Sequence, residues 1–552
     1  MNMLLPFALL LGLVPPEPPA DLAERIDAVF EDLDSTRSPG CAVALMRDGK
    51  LVYANGYGMA NLDHGVPISK SSVFHVASVS KQFTAAAVVL LALDGALSLD
   101  DDVRQHVPEL PDLGHRITIR HLLHHTSGMR DQWELLGLAG WRYSRDRITD
   151  DDVLWILERQ RELNFAPGEQ YLYSNSGYTL LAQIVARVSG KSFRELTRER
   201  IFEPLGMSRT FFRDDFDEIV PEQAYGYERR GDDPGALRLS VTNFDTVGAT
   251  SLLTTVGDMA RWDRNFQDPQ VGGDAFVQQM HSRFRLDDGK EIDYAFGLSF
   301  GQYRGLTTVG HGGADAGYRS DFVRFPEQGV SVVCLCNVPA DPGRRARAVA
   351  ELVLGDQMAA SEPAPEVPVE GVEVDAAVLA AKQGWYWNPD DDGFLRFVVR
   401  DGGLRLVMGG DSYPLAALGE ERFRLQAFRV DFTFAIAEGE GPHPAHVTVA
   451  PPSGPPEKLE RIEAVAPTPD ELAAFAGSYA SDELGTSYSL HVEEGALVLR
   501  RIKADPDPLQ PTLRDVFVGE VGTLRFTRDP DGALSGFLLT VGRVRNLRFT
   551  GP

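Results

Sequence analysis

Only three cysteines occur in 552 residues, and none has the CxxC spacing of zinc ribbons or redox motifs. Neither a disulfide framework nor a structural zinc site is encoded by them. Basic residues are also scarce: 54 Lys+Arg stand against 80 Asp+Glu, a formal net charge of −26. That balance excludes a nucleic-acid partner, because phosphate backbones need clustered cations to displace counterions. No segment reaches 18 apolar residues, so no integral membrane span is expected. What is present is a globular composition, 43% apolar and 24% charged. Single cores stop growing near ~250–300 residues, so this length implies several domains.

The first 20 residues, MNMLLPFALLLGLVPPEPPA, hold an apolar run from Met3 to Val14 followed by Pro and small residues. Such a run rises only ~18 Å as a helix, short of a ~30 Å bilayer core, and fits a signal peptide despite an n-region without Lys or Arg. The expected location is therefore the periplasm or the exterior. Cys41 lies in one apolar run, and Cys334 and Cys336 lie two apart in another. If those runs are strands, the latter pair shares a face; buried thiols are expected, with a single Cys41 bridge left open in an exported protein.

From Cys41 the pattern reads strand, Asp48-Gly49 turn, strand. A helix is expected from Ser78 to about Leu93, stopped by Asp94-Gly95. A mostly helical stretch follows to about Gln267, strands return at FGLSFGQY, TTVGHGG, SDFVRF and VSVVCLCNV, and a last helix spans about 344–354. Strands at both ends of a helical middle predict one α/β layer completed by distant segments. Residues 361–375 carry three Pro, five acids and no base, which predicts a linker. Beyond it the chain is β-rich and repeats. Leu379, Gly384, Tyr386, Gly402, Leu404 and Leu406 recur as Leu472, Gly477, Tyr479, Gly495, Leu497 and Leu499 at a constant offset of 93. Residues 376–465 and 466–552 are expected to be duplicated β-barrel modules, with one larger barrel as the alternative.

Three short motifs carry chemistry. Ser78-Val79-Ser80-Lys81 places a hydroxyl and an amine one helical turn apart, with a helix N-terminus where an oxyanion would form. About 95 residues on, Tyr173-Ser174-Asn175 offers a phenol that ionises more easily beside an ammonium and an amide able to accept from Lys81. A further 138 residues on, His311-Gly312-Gly313-Ala314 offers glycines that let a substrate lie along a strand. The Ala314 amide is expected to pair with the Ser78 amide as an oxyanion hole. His121, His124 and His125 share a helical spacing but lack spaced acidic ligands, so no metal is assigned and no cofactor is expected. The GWYW run at 384–387 is expected to fill a barrel core rather than form a carbohydrate platform.

In this order SxxK, YxN and HxG resemble the serine penicillin-recognising hydrolases of the class C β-lactamase type. The segment LLHHTSG at 122–128, Pro167-Gly168-Glu169 and IFEPLGM at 201–207 are similar to further family motifs, and the resemblance covers about residues 25–355. It implies a β-lactamase-like domain of a sheet plus an all-α region over 21–360, with Ser78 acylated and Lys81 and Tyr173 sharing base and acid roles. The first motif SVSKQFT, the HGG third motif and the two C-terminal modules are similar to D-aminopeptidases. By that resemblance a loop of the last barrel reaches the active site, and 504–515 is the candidate.

A neutral His311 in place of a permanent cation makes a weak carboxylate clamp, which favours amides or esters without a carboxylate beside the scissile bond. The expected partner is a small molecule, short peptide or ester; homo-oligomerisation is left open. Three functions remain: a D-amino-acid amidase or aminopeptidase; an esterase, weak β-lactamase or carboxypeptidase-like enzyme; and a non-catalytic peptide sensor.

Overall fold

The computed structural model describes residues 20–551 apart from 144, 232–235, 361–370, 409–410, 427–429, 436–442 and 452–455. The expected signal peptide and most of the expected linker lie outside the described residues. The catalytic half is organised by six antiparallel strands: β1 Cys41–Arg47, β2 Lys50–Tyr57, β3 Ser299–Tyr303, β4 Leu306–Asp315, β5 Tyr318–Phe325 and β6 Val330–Cys336. Their order in the sheet is β3-β4-β5-β6-β1-β2, so β1 pairs with β6 across almost the whole domain. The β1-β2 hairpin turns on Asp48 and Gly49, with φ of 49° and 68° respectively. That is the left-handed pair a two-residue hairpin needs, and it is the turn the sequence predicts.

The helices that matter for the site are α1 Ala20–Val29, α2 Lys81–Leu93, α3 Gln132–Ala139, α4 Asn175–Ser189 and α5 Pro342–Leu354. Ile26 and Phe30 at the start of the chain and Ala346, Val349 and Ala350 of α5 bury one face of the sheet, against Val43, Leu45, Val332 and Cys334. The opposite face, with Ala42, Ala44, Val333 and Leu335, packs on Phe83 and the helical region. Both faces are covered, which is why β1 and β6 read as nearly continuous apolar runs instead of alternating with polar residues. Register puts Cys41 opposite Cys336, and the two form a disulfide; Cys334 shares their face, stays free and is buried. Burial pushes the Cys334 thiol far above its usual range.

The C-terminal half holds two β modules, as expected, rather than the one larger barrel of the alternative. One is a nine-stranded antiparallel sheet over 384–462, the other a closed eight-stranded barrel over 477–550. The offset of 93 is reproduced in three dimensions. Tyr386 donates to the Lys382 carbonyl at 3.1 Å, and Tyr479 donates to the Phe475 carbonyl at 2.9 Å, each from a buried strand start back to the preceding helical turn. Asp401-Gly402 and Glu494-Gly495 are matching left-handed turns. Of the GWYW run, only Tyr386 is fully buried in the core of the first module; Trp385 and Trp387 are half-buried, so the expected core filling holds for one of the three aromatics.

The second barrel is fastened to the catalytic domain by polar contacts. Arg130, fully buried, reaches Glu483 at 2.6 Å and donates to the carbonyls of Arg545 and Asn546 at 3.1 Å each. Tyr488 donates to the Leu138 carbonyl at 2.7 Å. A buried ion pair broken on one side typically costs ~3–5 kcal/mol, so this joint is specific and intolerant of single replacements.

The disulfide yields a direct count. Denatured without reductant, the protein should titrate one thiol, and three after reduction; the Cys336→Ser variant should lose ~2–4 kcal/mol in denaturant unfolding.

Candidate active site

The chain enters α2 through a tight turn of 3-10 geometry, Ala77–Ser80, rather than starting the α-helix at Ser78. Ala77 has φ of 49°, a left-handed conformation that costs a non-glycine residue ~1 kcal/mol or more. The strain sits one residue before Ser78 and lifts it to the rim of a buried cluster.

Lys81 has no exposed surface, yet its amine has three acceptors: Asn175 Oδ1 at 2.8 Å, the Ala249 carbonyl at 2.7 Å and Ser78 Oγ at 3.2 Å. Burial brings its pKa down to about 7; Asp131 and Asp315 pull it up and Arg543 pulls it further down. A neutral amine has two hydrogens and one lone pair. Asn175 and Ala249 claim the hydrogens, which leaves the lone pair facing the Ser78 hydroxyl. Near neutral pH the arrangement is a base aimed at a nucleophile.

Asn175 opens α4, and its amide orientation is fixed by Asp131, the N-cap of α3. Asp131 accepts from the Asn175 backbone N–H at 2.7 Å and from its side-chain Nδ2 at 2.8 Å, so Oδ1 must face Lys81. Tyr173 lies with its ring centroid 4.8 Å from Lys81 Nζ, and its buried hydroxyl is beside Ser78. Burial pushes the phenol far above its usual range, more than any neighbour lowers it. The expectation of an easily ionised phenol is not met, because burial opposes ionisation of Tyr173.

His311, Gly312, Gly313 and Ala314 form the end of β4. Because β3 begins opposite Gly310, the edge of β4 beyond it is free of a strand partner. Gly313 lies against the nucleophile turn so closely that a Cβ there would come within 2.4 Å of the Val76 carbonyl oxygen. His311 is buried and its Nδ1 is 2.6 Å from the Gly312 carbonyl, which can only accept. Nδ1 therefore carries the proton, and Nε2 accepts from the Tyr294 hydroxyl at 3.0 Å. Burial, with Lys81 next in effect, lowers His311 to about 4, so it is neutral. Its ring centroid is 6.2 Å from that of Tyr173, but its hydrogen bond goes to Tyr294.

The last barrel does reach the site, though not through 504–515, part of which is the barrel strand Asp507–Pro511. The hairpin at 542–543, between strands Leu534–Val541 and Val544–Thr550, carries Arg543 to Asp131 at 3.2 Å and Glu134 at 3.0 Å. Its guanidinium is 5.9 Å from the Tyr173 ring centroid. Burial raises Glu134 above the usual carboxylate range, and Arg543 pulls it back. Sequence reasoning missed Asp131, Tyr294 and Arg543; only Asp131 had a local signal, as an N-cap before QWELLGLA. The three clustered histidines diverge: His121 accepts from Thr118, His124 meets the Arg120 and Ser282 carbonyls, and His125 accepts from Ser174.

A buried lysine base, a serine at a strained turn, an orienting asparagine and a glycine strand are the parts of a penicillin-recognising type of acyl-serine site. A Beta-lactamase family profile matches residues 26–355, and the chain belongs to that family. A D-aminopeptidase of Gluconobacter oxydans is 30% identical over 316 residues, 57% of this chain and 58% of that protein. A D-aminopeptidase of Brucella melitensis is 25% identical over 535 residues, 92% and 94% of the two chains. The fold resembles the octameric penicillin-binding protein homologue from Pyrococcus abyssi, with a TM-score of 0.56 at 24% identity over 80% of this chain and 100% of that one.

The pH profile follows from Lys81. Activity should rise with pH through a midpoint near 7, where the ammonium loses its proton, with no limb from His311. In Arg543→Gln the removed cation no longer lowers Lys81, so the midpoint should move to higher pH and activity at pH 7 fall roughly threefold to tenfold.

Proposed function

We propose that the chain hydrolyses amides or short peptides of D-amino acids through an acyl-enzyme on Ser78, outside the cytoplasm. The observation that carries the reading is the Lys81 amine, whose two hydrogens are held by Asn175 and Ala249 so that its lone pair faces Ser78. Lys81 takes the hydroxyl proton as Ser78 Oγ attacks the carbonyl carbon. The oxyanion is received by the amides of Ser78 and Ala314, the latter on the free edge of β4. Tyr173 gives its proton to the leaving amine and recovers one from the Lys81 ammonium beside it. Water, deprotonated by the same pair, then releases the acid from Ser78.

Two features support the substrate class besides the relatives named D-aminopeptidase. His311 is neutral, and Arg543 is matched by two carboxylates, so the site offers a poor grip on a substrate carboxylate. Export is supported by the Cys41–Cys336 disulfide, a bond that reducing cytosol does not maintain.

Three chromogenic substrates test the reading. D-alanine p-nitroanilide should be cleaved, with p-nitrophenyl butyrate and nitrocefin turned over more slowly. Ser78→Ala should abolish both turnover and labelling by a fluorophosphonate probe; undiminished labelling would remove Ser78 from its role, and ester turnover alone would favour an esterase.

A further inference from the structure

A second buried polar cluster lies behind the site and takes no part in the mechanism above. Its centre is Asp315, the last residue of β4, directly after Ala314, with a side chain only 3% exposed. Oδ2 accepts from His75 Nε2 at 2.9 Å and from Thr250 Oγ1 at 2.8 Å, and Oδ1 accepts from the Tyr143 hydroxyl at 2.6 Å. These donors come from separate parts of the chain. His75 stands three residues before Ser78, Thr250 follows the Ala249 carbonyl that holds Lys81, and Tyr143 comes from the half-exposed loop after α3, packed edge-on against Trp133 and Phe244.

A carboxylate buried this deeply is costly unless fully paired, and an apolar side chain would pack the same space at less cost. Its placement accounts for its presence. One side chain ties together the strand that bears the Ala314 amide, the turn that bears Ser78 and the strap that bears the Lys81 acceptor. These are the pieces whose relative positions define an oxyanion hole, where small displacements are expensive. We propose that Asp315 is a positioning residue, which through His75, Thr250 and Tyr143 holds the oxyanion strand, the nucleophile turn and the Lys81 strap in catalytic register. The inference rests on the Ser78 acyl-enzyme reading.

The charged and titratable groups around the pair are few. Asp315 is faced by His75, by Tyr143 and, from β5, by Tyr318 directly opposite it and Arg319 opposite Ala314. Lys81 is faced by Asp131, Arg543 and Asp315 and by the buried rings of His125, His311, Tyr173 and Tyr178. Asp315 acts to keep Lys81 protonated, so loss of its charge must lower the Lys81 pKa. The acid limb then moves to lower pH, opposite to the shift expected for Arg543→Gln.

The test compares wild type, Asp315→Asn, Thr250→Ser, Thr250→Val and Tyr143→Phe for the rate of Ser78 labelling by a fluorophosphonate probe across pH 5–9, with thermal unfolding alongside. Asp315→Asn should label about 10- to 100-fold more slowly at its optimum. Its half-saturating probe concentration should change by less than about twofold, and its acid limb should be displaced to lower pH. Thr250→Ser should behave as wild type, and Thr250→Val and Tyr143→Phe should each lose roughly threefold to tenfold in labelling rate with only a modest fall in unfolding temperature. An undiminished rate in Asp315→Asn, or a loss confined to the half-saturating probe concentration, overturns the proposal. If that variant does not fold, undiminished rates in Thr250→Val and Tyr143→Phe overturn it. Wild-type enzyme that fails to label overturns instead the reading of Ser78, on which the inference stands.

Discussion

Lys81 is held where a positive charge is penalised, among aromatic rings and under strands, and its pKa is brought to about 7 by that burial. An amine can stay there because Asn175, Ala249 and Ser78 satisfy it, and the rest of the site is arranged to keep those three in place. Asp131 orients Asn175, the close approach of Gly313 to Val76 fixes the glycine strand on the nucleophile turn, and Arg543 answers the carboxylates that would otherwise hold Lys81 protonated. Desolvation supplies the base, and the neighbouring charges set how far its pKa falls.

The same economy appears at the third motif. His311 is not a proton shuttle in this geometry, since both ring nitrogens are engaged, one by the Gly312 carbonyl and one by Tyr294. Its neutral ring braces the strand end without adding a cation. Tyr294 meets it edge-on and Tyr173 at a tilt, and His125 packs against both tyrosines, its ring centroid 4.1 Å from that of Tyr173, so this wall of the site is aromatic.

Much of this was legible in the sequence, and the limits follow from the range of each interaction. The Asp48-Gly49 hairpin, the stop of α2 at Asp94-Gly95 and the duplicated modules are written in neighbours a few residues apart or in repetition, so reading along the chain found them. The motifs named Ser78, Lys81, Tyr173, Asn175 and His311, and the structure brings all five together. Arg543, Tyr294 and the Cys41–Cys336 pairing depend on which distant segments meet, and strand register alone decides that Cys336 rather than Cys334 faces Cys41. Proximity to an ammonium suggests an easily ionised Tyr173, whereas burial, which no local pattern announces, opposes its ionisation.

The hairpin that carries Arg543 lies 409 residues beyond Glu134 in the chain. The electrostatics of the catalytic half are therefore completed by a residue of the last module: Asp131 raises Lys81, and Arg543, paired with Asp131, lowers it. Removing the final barrel would take a charge out of the active site as well as a module off the chain.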